Sequence, residues 1–308
     1  MPAMNRRVAL HLITGLAVAL VLAAAVTPAV LAASPQDPAG PGEKPSHFTR
    51  LWDLDEENRR DRFAFTPYRS NYILVFSTNS SPNVEVFRDV DPGRTLMKSE
   101  TAFQLSIKAK LWQDVLGRKM DLWLGYTQMS FWQLYNVAES SPFRETDHEP
   151  ELILNIRTRF RFMGLAGRFV QIGLNHQSNG LAQPLSRNWN RVVASVGLER
   201  GPLSFLVTGW VRVFYNPEAN ENPGISRYLG YGQVQAYYFL RRHRFGIKLR
   251  DNLNFRFNRA ALQADWSFPL FAQVGALVQC YFGYGESLLD FDHRVSRIGV
   301  GLVLADWY

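Results

Sequence analysis

From about Ser70 to the end of the chain, apolar and polar residues alternate in runs of roughly ten, with turn signals between the runs. In one run Phe103, Leu105, Ile107, Ala109 and Leu111 alternate with Gln104, Ser106, Lys108 and Lys110. In another Leu152, Leu154, Ile156, Thr158, Phe160 and Phe162 alternate with Asn155, Arg157, Arg159 and Arg161. A period of two belongs to an extended strand, whose successive side chains point to opposite faces. The pattern predicts twelve strands, near 70–79, 101–112, 120–134, 150–162, 167–178, 190–200, 203–215, 229–241, 243–253, 258–269, 271–284 and 296–308. In a soluble sandwich the apolar faces would point inward. In a barrel set in lipid they point outward and the Arg-bearing faces line the interior.

An even number of strands with short and long connections in turn favours the barrel, because closure satisfies every backbone group without water. The expected fold is all-β, a twelve-stranded antiparallel transmembrane β-barrel over 69–308. Arg157, Arg159, Arg161 and similar side chains are expected to fill the lumen, which disfavours a channel. In the last run Ile298, Val300, Leu302 and Leu304 share one parity and the chain ends on the aromatic Tyr308, a common feature of exported barrels.

The N-terminal stretch supports export. Arg6 and Arg7 precede an apolar run from Val8 to about Val26, and Val30-Leu31-Ala32 and Leu31-Ala32-Ala33 are candidate cleavage sites. Residues 1–33 thus read as a cleaved signal peptide. The alternative is a retained anchor, although nothing else in the chain resembles a spanning helix. Residues 34–68 read as a flexible Pro- and Gly-rich leader followed by a charged arm.

Composition adjusts this picture only slightly. A mean hydropathy of −0.16 is too polar for a helical membrane protein but suits a barrel in which alternate residues face lipid. The single cysteine, Cys280, excludes an internal disulfide. The net charge of +7 is spread along the chain without a nucleic-acid motif, so no nucleic-acid partner is expected.

Candidate chemistry stands on the fifth strand. Val170, Ile172, Leu174, His176 and Ser178 share one parity, so the lipid-facing row ends in an imidazole and a hydroxyl. Positions i and i+2 lie about 6–7 Å apart, a gap that side chains can lean across. On the next strand Asn190 shares the parity of Val192, Ala194, Val196 and Leu198. A nucleophile, a base and a group to orient the base are the parts needed for acyl transfer. The plainer alternative is a polar strand end running into a turn, yet polar groups beside lipid are costly and tend to be functional. Gln128, following Leu122, Leu124 and Tyr126, also faces lipid and calls for a partner, the alternative being a Gln at the level of the membrane interface.

The run Asn175-His176-Gln177-Ser178-Asn179-Gly180, followed by Ser186-Arg187-Asn188-Trp189-Asn190-Arg191, resembles the active-site block of the outer-membrane phospholipase A family. Further stretches agree in order: Tyr126-Thr127-Gln128, Ser140 to Thr146, Tyr228-Leu229-Gly230-Tyr231, and Gly283 to Leu288. The resemblance covers about Tyr68 to Tyr308. It implies a calcium-dependent homodimer in the bacterial outer membrane that hydrolyses sn-1 and sn-2 acyl esters of membrane phospholipids. Carried over, Ser178 is the nucleophile, His176 the general base and Asn190 its orienting group. The Gly180 amide, with a calcium-bound water, would stabilise the oxyanion. Calcium ligands map onto Ser140, the Leu181 carbonyl, Ser186 and Glu221, and Gln128 onto a position that pairs across the dimer. Leu181 replaces a family Arg, which leaves a carbonyl ligand intact. Gln183 replaces a family Asp, which puts a second, carboxylate-based calcium site in doubt. For Glu221 a solvated loop charge is an equal alternative. Rival functions are a passive channel with a vestigial site and an adhesive barrel acting through its loops, which are modest in length.

Overall fold

The computed structural model describes residues 45–214 and 220–304. The expected signal peptide, most of the leader and Tyr308 lie outside the described residues.

Twelve antiparallel strands form the wall: β2 (Asn71–Asn79), β3 (Ser99–Trp112), β4 (Met120–Trp132), β5 (Phe143–Phe162), β6 (Leu165–Ser178), β7 (Asn188–Arg200), β8 (Leu203–Val213), β9 (Gly232–Leu240), β10 (His243–Asp251), β11 (Ala260–Phe271), β12 (Val274–Tyr284) and β13 (Arg294–Leu304). Each pairs with the next, and β13 returns to β2 through pairs such as Leu304↔Asn71 and Ile298↔Thr78, closing the barrel. A short strand, β1 (Phe65–Pro67), pairs with Ile107–Ala109 of β3. It extends the lane that β2 occupies farther along β3, so the wall remains twelve lanes wide.

Tight connections at 163–164, 201–202, 241–242 and 272–273 close one end, and the longer ones, including 179–187 and 285–293, lie at the other. In exported barrels the long loops face the cell exterior. Outward parity carries exposed apolar side chains, among them Leu105, Leu124, Leu152, Ile172, Leu174, Ile298 and Val300. The opposite parity buries polar groups such as Lys108, Asp121, Asn155 and Gln171. The apolar face therefore looks into lipid.

Three features depart from the pattern-based expectation. The strand expected at 150–162 starts at Phe143. Pro150, which cannot donate to a ladder, and the charged residues from Arg144 to Glu149 hid its first half. Arg159 and Arg161 do not line the lumen. They are exposed on the stretch of β5 beyond its last pair with β4, Ile156↔Met120, and after the register shift between Arg157 and Phe160; only Arg157 turns inward, to Asp121 at 2.8 Å and to Asp114.

The lumen is instead occupied by the arm itself. Helix α1 (His47–Trp52) is capped by the Ser46 side chain and buries Phe48 and Trp52 against Trp123, Ile153 and Phe169. The Phe48 amide donates to Glu199 at 2.9 Å, and Asp53 just beyond the helix meets Lys110 at 3.0 Å. A short, charged segment thus becomes a plug because the barrel interior offers it both aromatic and ionic partners.

Above the plug a polar network braces the wall. Arg69 bridges Glu149 at 2.7 Å and Glu151 at 2.6 Å, and Arg191 reaches Glu149 at 2.9 Å and Asn175 at 3.0 Å. Removing one partner of such an ion pair strands the other in a poorly solvated site. We expect Arg69→Ala to cost about 3–5 kcal/mol, read as a lower unfolding temperature of the detergent-solubilised barrel by heat-modifiable gel migration. An unchanged temperature would show that the network adds nothing.

Candidate active site

Ser178 is the last residue of β6, and the loop 179–187 leads from it into β7. The register sets His176 opposite Asn190 and Ser178 opposite Asn188. Because Ile172 and Leu174 are half exposed on the same parity, the row that ends in His176 and Ser178 lies on the outer wall.

The His176 Nδ1–H donates to Asn190 Oδ1 at 2.8 Å. The other end of that amide, Nδ2, donates to the Phe214 carbonyl at 3.4 Å. With the amide oriented this way the ring carries its proton on Nδ1, which leaves Nε2 as the acceptor. No hydrogen bond closes between His176 and Ser178, both half-buried on one face. Such bonds are often long before substrate arrives.

Gly180 has φ +66°, a left-handed conformation that glycine adopts without strain. Among the described residues its N–H donates to no other group. A free backbone donor therefore stands two residues from the Ser178 hydroxyl.

Of the four residues expected to bind calcium, the structure joins two directly. The Ser186 hydroxyl donates to Glu221 Oε2 at 2.8 Å, and Asn188 Nδ2 donates to the same oxygen. Glu221 is thus held against the loop that carries Leu181. Carbonyl, hydroxyl and carboxylate oxygens are the donors a hard cation takes, so this set fits calcium. Ser140 lies in the β4–β5 connection at φ +60°, and among the described residues it makes no hydrogen bond to Leu181, Ser186 or Glu221.

Gln128 faces outward but is not without partners inside the protomer. It accepts from the Tyr126 hydroxyl at 3.2 Å and donates to Ser130 Oγ at 3.1 Å. Pattern reading missed its neighbour His148, the cross-strand partner of both Gln128 and Ser178, whose Nδ1 lies 2.7 Å from the Tyr126 hydroxyl. The missed start of β5 concealed that position. On the inner side of β6 and β7 Trp189 Nε1 donates to Gln177 Oε1 at 2.8 Å, and Arg191 stacks over the Trp189 ring.

A closed barrel plugged by its own arm, with a serine, a histidine and an asparagine gathered on its outer wall, has the make-up of a membrane-embedded enzyme of the outer membrane rather than of a pore. Comparison with known proteins places it further. The family model described as Phospholipase A1 matches residues 48–304. Phospholipase A1 of Klebsiella pneumoniae is 39% identical over 246 residues, which cover 80% of this chain and 84% of that one. The Escherichia coli K12 protein of that name is also 39% identical, over 80% of this chain and 83% of its own length. Among solved structures, outer membrane phospholipase A from E. coli matches with a TM-score of 0.75 at 36% identity, over 85% of this chain and 98% of that one. The Salmonella typhi outer membrane phospholipase, a dimer with bound calcium, matches with a TM-score of 0.77 at 35% identity and the same coverage. A form of the E. coli enzyme bearing an asparagine-to-alanine active-site substitution matches with a TM-score of 0.76. The chain belongs to the Phospholipase A1 family and is a phospholipase of the bacterial outer membrane.

Proposed function

We propose that this protein hydrolyses the sn-1 and sn-2 acyl esters of membrane phospholipids, with calcium, through Ser178, His176 and Asn190 on the lipid-facing wall of a homodimer. The observation that carries the reading is the 2.8 Å His176–Asn190 hydrogen bond on the same outward row as Ser178. His176 Nε2 takes the Ser178 proton as Oγ attacks the ester carbonyl, and then returns it to the departing glycerol oxygen. Asn190 keeps Nδ1 protonated and Nε2 aimed at the nucleophile. The acyl-enzyme is hydrolysed by water that His176 deprotonates in turn. The free Gly180 N–H donates to the oxyanion as charge develops on the carbonyl oxygen.

The Leu181 carbonyl, Ser186 and Glu221 would hold calcium, which supplies electrostatic stabilisation of that charge. Ser140 joins the set on family resemblance alone. The Salmonella typhi relative is a calcium-bound dimer, and an outward polar patch of Tyr126, Gln128 and His148 lies beside Ser178 here. Gln128 is assigned to the contact with a second copy.

The test is fatty-acid release from phospholipid–detergent mixed micelles containing calcium. Ion conduction by the reconstituted protein with no fatty-acid release would replace this reading with the channel. Asn190→Ala, which frees the imidazole to turn and to change tautomer, should lower kcat by roughly tenfold or more. Equal turnover by the variant and the parent enzyme would remove Asn190 from the mechanism.

A further inference from the structure

The loop 179–187 carries the Gly180 amide and the Leu181 carbonyl, yet Gly180, Leu181, Ala182, Gln183 and Pro184 are all exposed. Something must hold these backbone groups in place. The residue that does so is Asn179, only 4% exposed and wedged between the loop and the barrel interior. Its Oδ1 accepts from the Leu181 amide at 3.3 Å and from the Arg187 amide at 2.9 Å. Its Nδ2 donates to the Leu185 carbonyl at 2.9 Å and to Glu145 Oε1 at 3.3 Å. Its own backbone N–H donates to the Arg187 carbonyl at 3.0 Å. One side chain thus spans both limbs of the loop.

Glu145 is the anchor beneath it. The carboxylate is buried, and the same Oε1 accepts from the Leu289 amide at 2.8 Å, in the connection between β12 and β13. Its neighbour Asp147 accepts from the Leu288 amide at 3.0 Å. Among the described residues, the hydrogen-bonded ties from this loop to other elements are Asn179 to Glu145 and Ser186 to Glu221. The second involves the carboxylate assigned to calcium. The first is independent of it.

We propose that Asn179, seated on Glu145, is a positioning residue that presents the Gly180 N–H to the oxyanion and the Leu181 carbonyl to calcium. The inference rests on the function proposed above. Asn179 touches neither substrate nor ion. It sets the spacing between Ser178, which ends a rigid strand, and the two backbone groups that follow. An amide suits this task because it accepts from two N–H groups and donates to two oxygens at once. Preorganised donors matter because they require no rearrangement when charge forms.

The experiment compares full-length, detergent-folded enzyme variants in calcium-containing mixed micelles. Asn179→Ala should lower kcat by about 10²–10³-fold, the effect of losing one oxyanion donor, with KM for phospholipid changed less than about threefold. The calcium concentration for half-maximal activity should rise at least about tenfold, a shift that a merely structural residue would not produce. Asn179→Asp keeps the acceptor for Leu181 and Arg187 but sets a carboxylate against Glu145, and should be similarly impaired. In a Glu145→Gln background the new amide supplies the donor that Asn179→Asp removed, and the double variant should recover at least about tenfold of the loss. Asn179→Ser, which retains a local acceptor, replaces Asn179→Ala if that variant does not fold. Near-parental kcat and calcium requirement in Asn179→Ala, or in Asn179→Ser where it substitutes, would overturn the inference, as would a double variant no better than Asn179→Asp alone. If Ser178→Ala remains active, the catalytic assignment itself has failed. If Ser178→Ala is dead while the Asn179 variants are normal, only the positioning role has failed.

Discussion

Ser178→Ala should reduce fatty-acid release by on the order of 10⁴-fold or more while the barrel still folds and migrates like the parent protein. The size of the effect follows from the task. An unassisted hydroxyl is a poor nucleophile at neutral pH, and the attack depends on one oxygen that an adjacent base can deprotonate. What survives the substitution is binding and the oxyanion donor, which can assist only a direct attack by water. Ser178 lies at the end of β6, half-buried, and among the described residues no hydrogen bond uses its hydroxyl. Folding should therefore be indifferent to its loss. Substantial turnover by Ser178→Ala would transfer the chemistry elsewhere, with Ser186 as the next hydroxyl to test.

Chelating calcium should have the next largest effect, a fall in kcat of about 10²–10³-fold, restored when the ion is returned. The Leu181 carbonyl, the Ser186 hydroxyl and the Glu221 carboxylate form an all-oxygen set within reach of one loop. Removing the ion takes away positive charge just where negative charge develops. Glu221→Gln keeps the volume and one oxygen but loses the charge, and should raise the calcium concentration needed for half-maximal activity by about tenfold or more. Activity unaffected by chelator would dismiss the ion from the mechanism. A normal calcium requirement in Glu221→Gln would dismiss Glu221 alone, leaving its bond to Ser186 as a purely structural tie.

The wall of this barrel was legible because each strand separates two media, and a period of two records that separation residue by residue. The parity of Val170, Ile172 and Leu174 likewise fixed the direction of His176 and Ser178, and the structure agrees. Where the chain meets neither lipid nor an ordinary core, the pattern falls silent. Phe48 and Trp52 occupy a six-residue helix among charges, and only the aromatic interior of the finished barrel explains their burial. Pro150 interrupts the ladder chemistry that defines a strand, so the first half of β5 and the outward His148 within it went unread. Arg159 and Arg161 have the correct parity for the lumen but follow the last pair with β4 and a register shift, which alternation alone does not record. Asn179 is the subtlest case. An Asn before a Gly reads as a turn, and its contact with Glu145 spans 34 positions in sequence.

If the proposed catalytic row is the right one, its outward placement has a kinetic consequence. An enzyme whose catalytic side chains face lipid meets its substrate by lateral diffusion within a leaflet, not by collision from bulk water. The quantity that saturates it is the mole fraction of phospholipid in the surrounding plane. Diluting the lipid with inert amphiphile at constant total amount should slow the reaction, whereas diluting the whole suspension with buffer should leave the rate per enzyme nearly unchanged. For such a protein the membrane is at once the solvent, the reservoir and the unit of concentration.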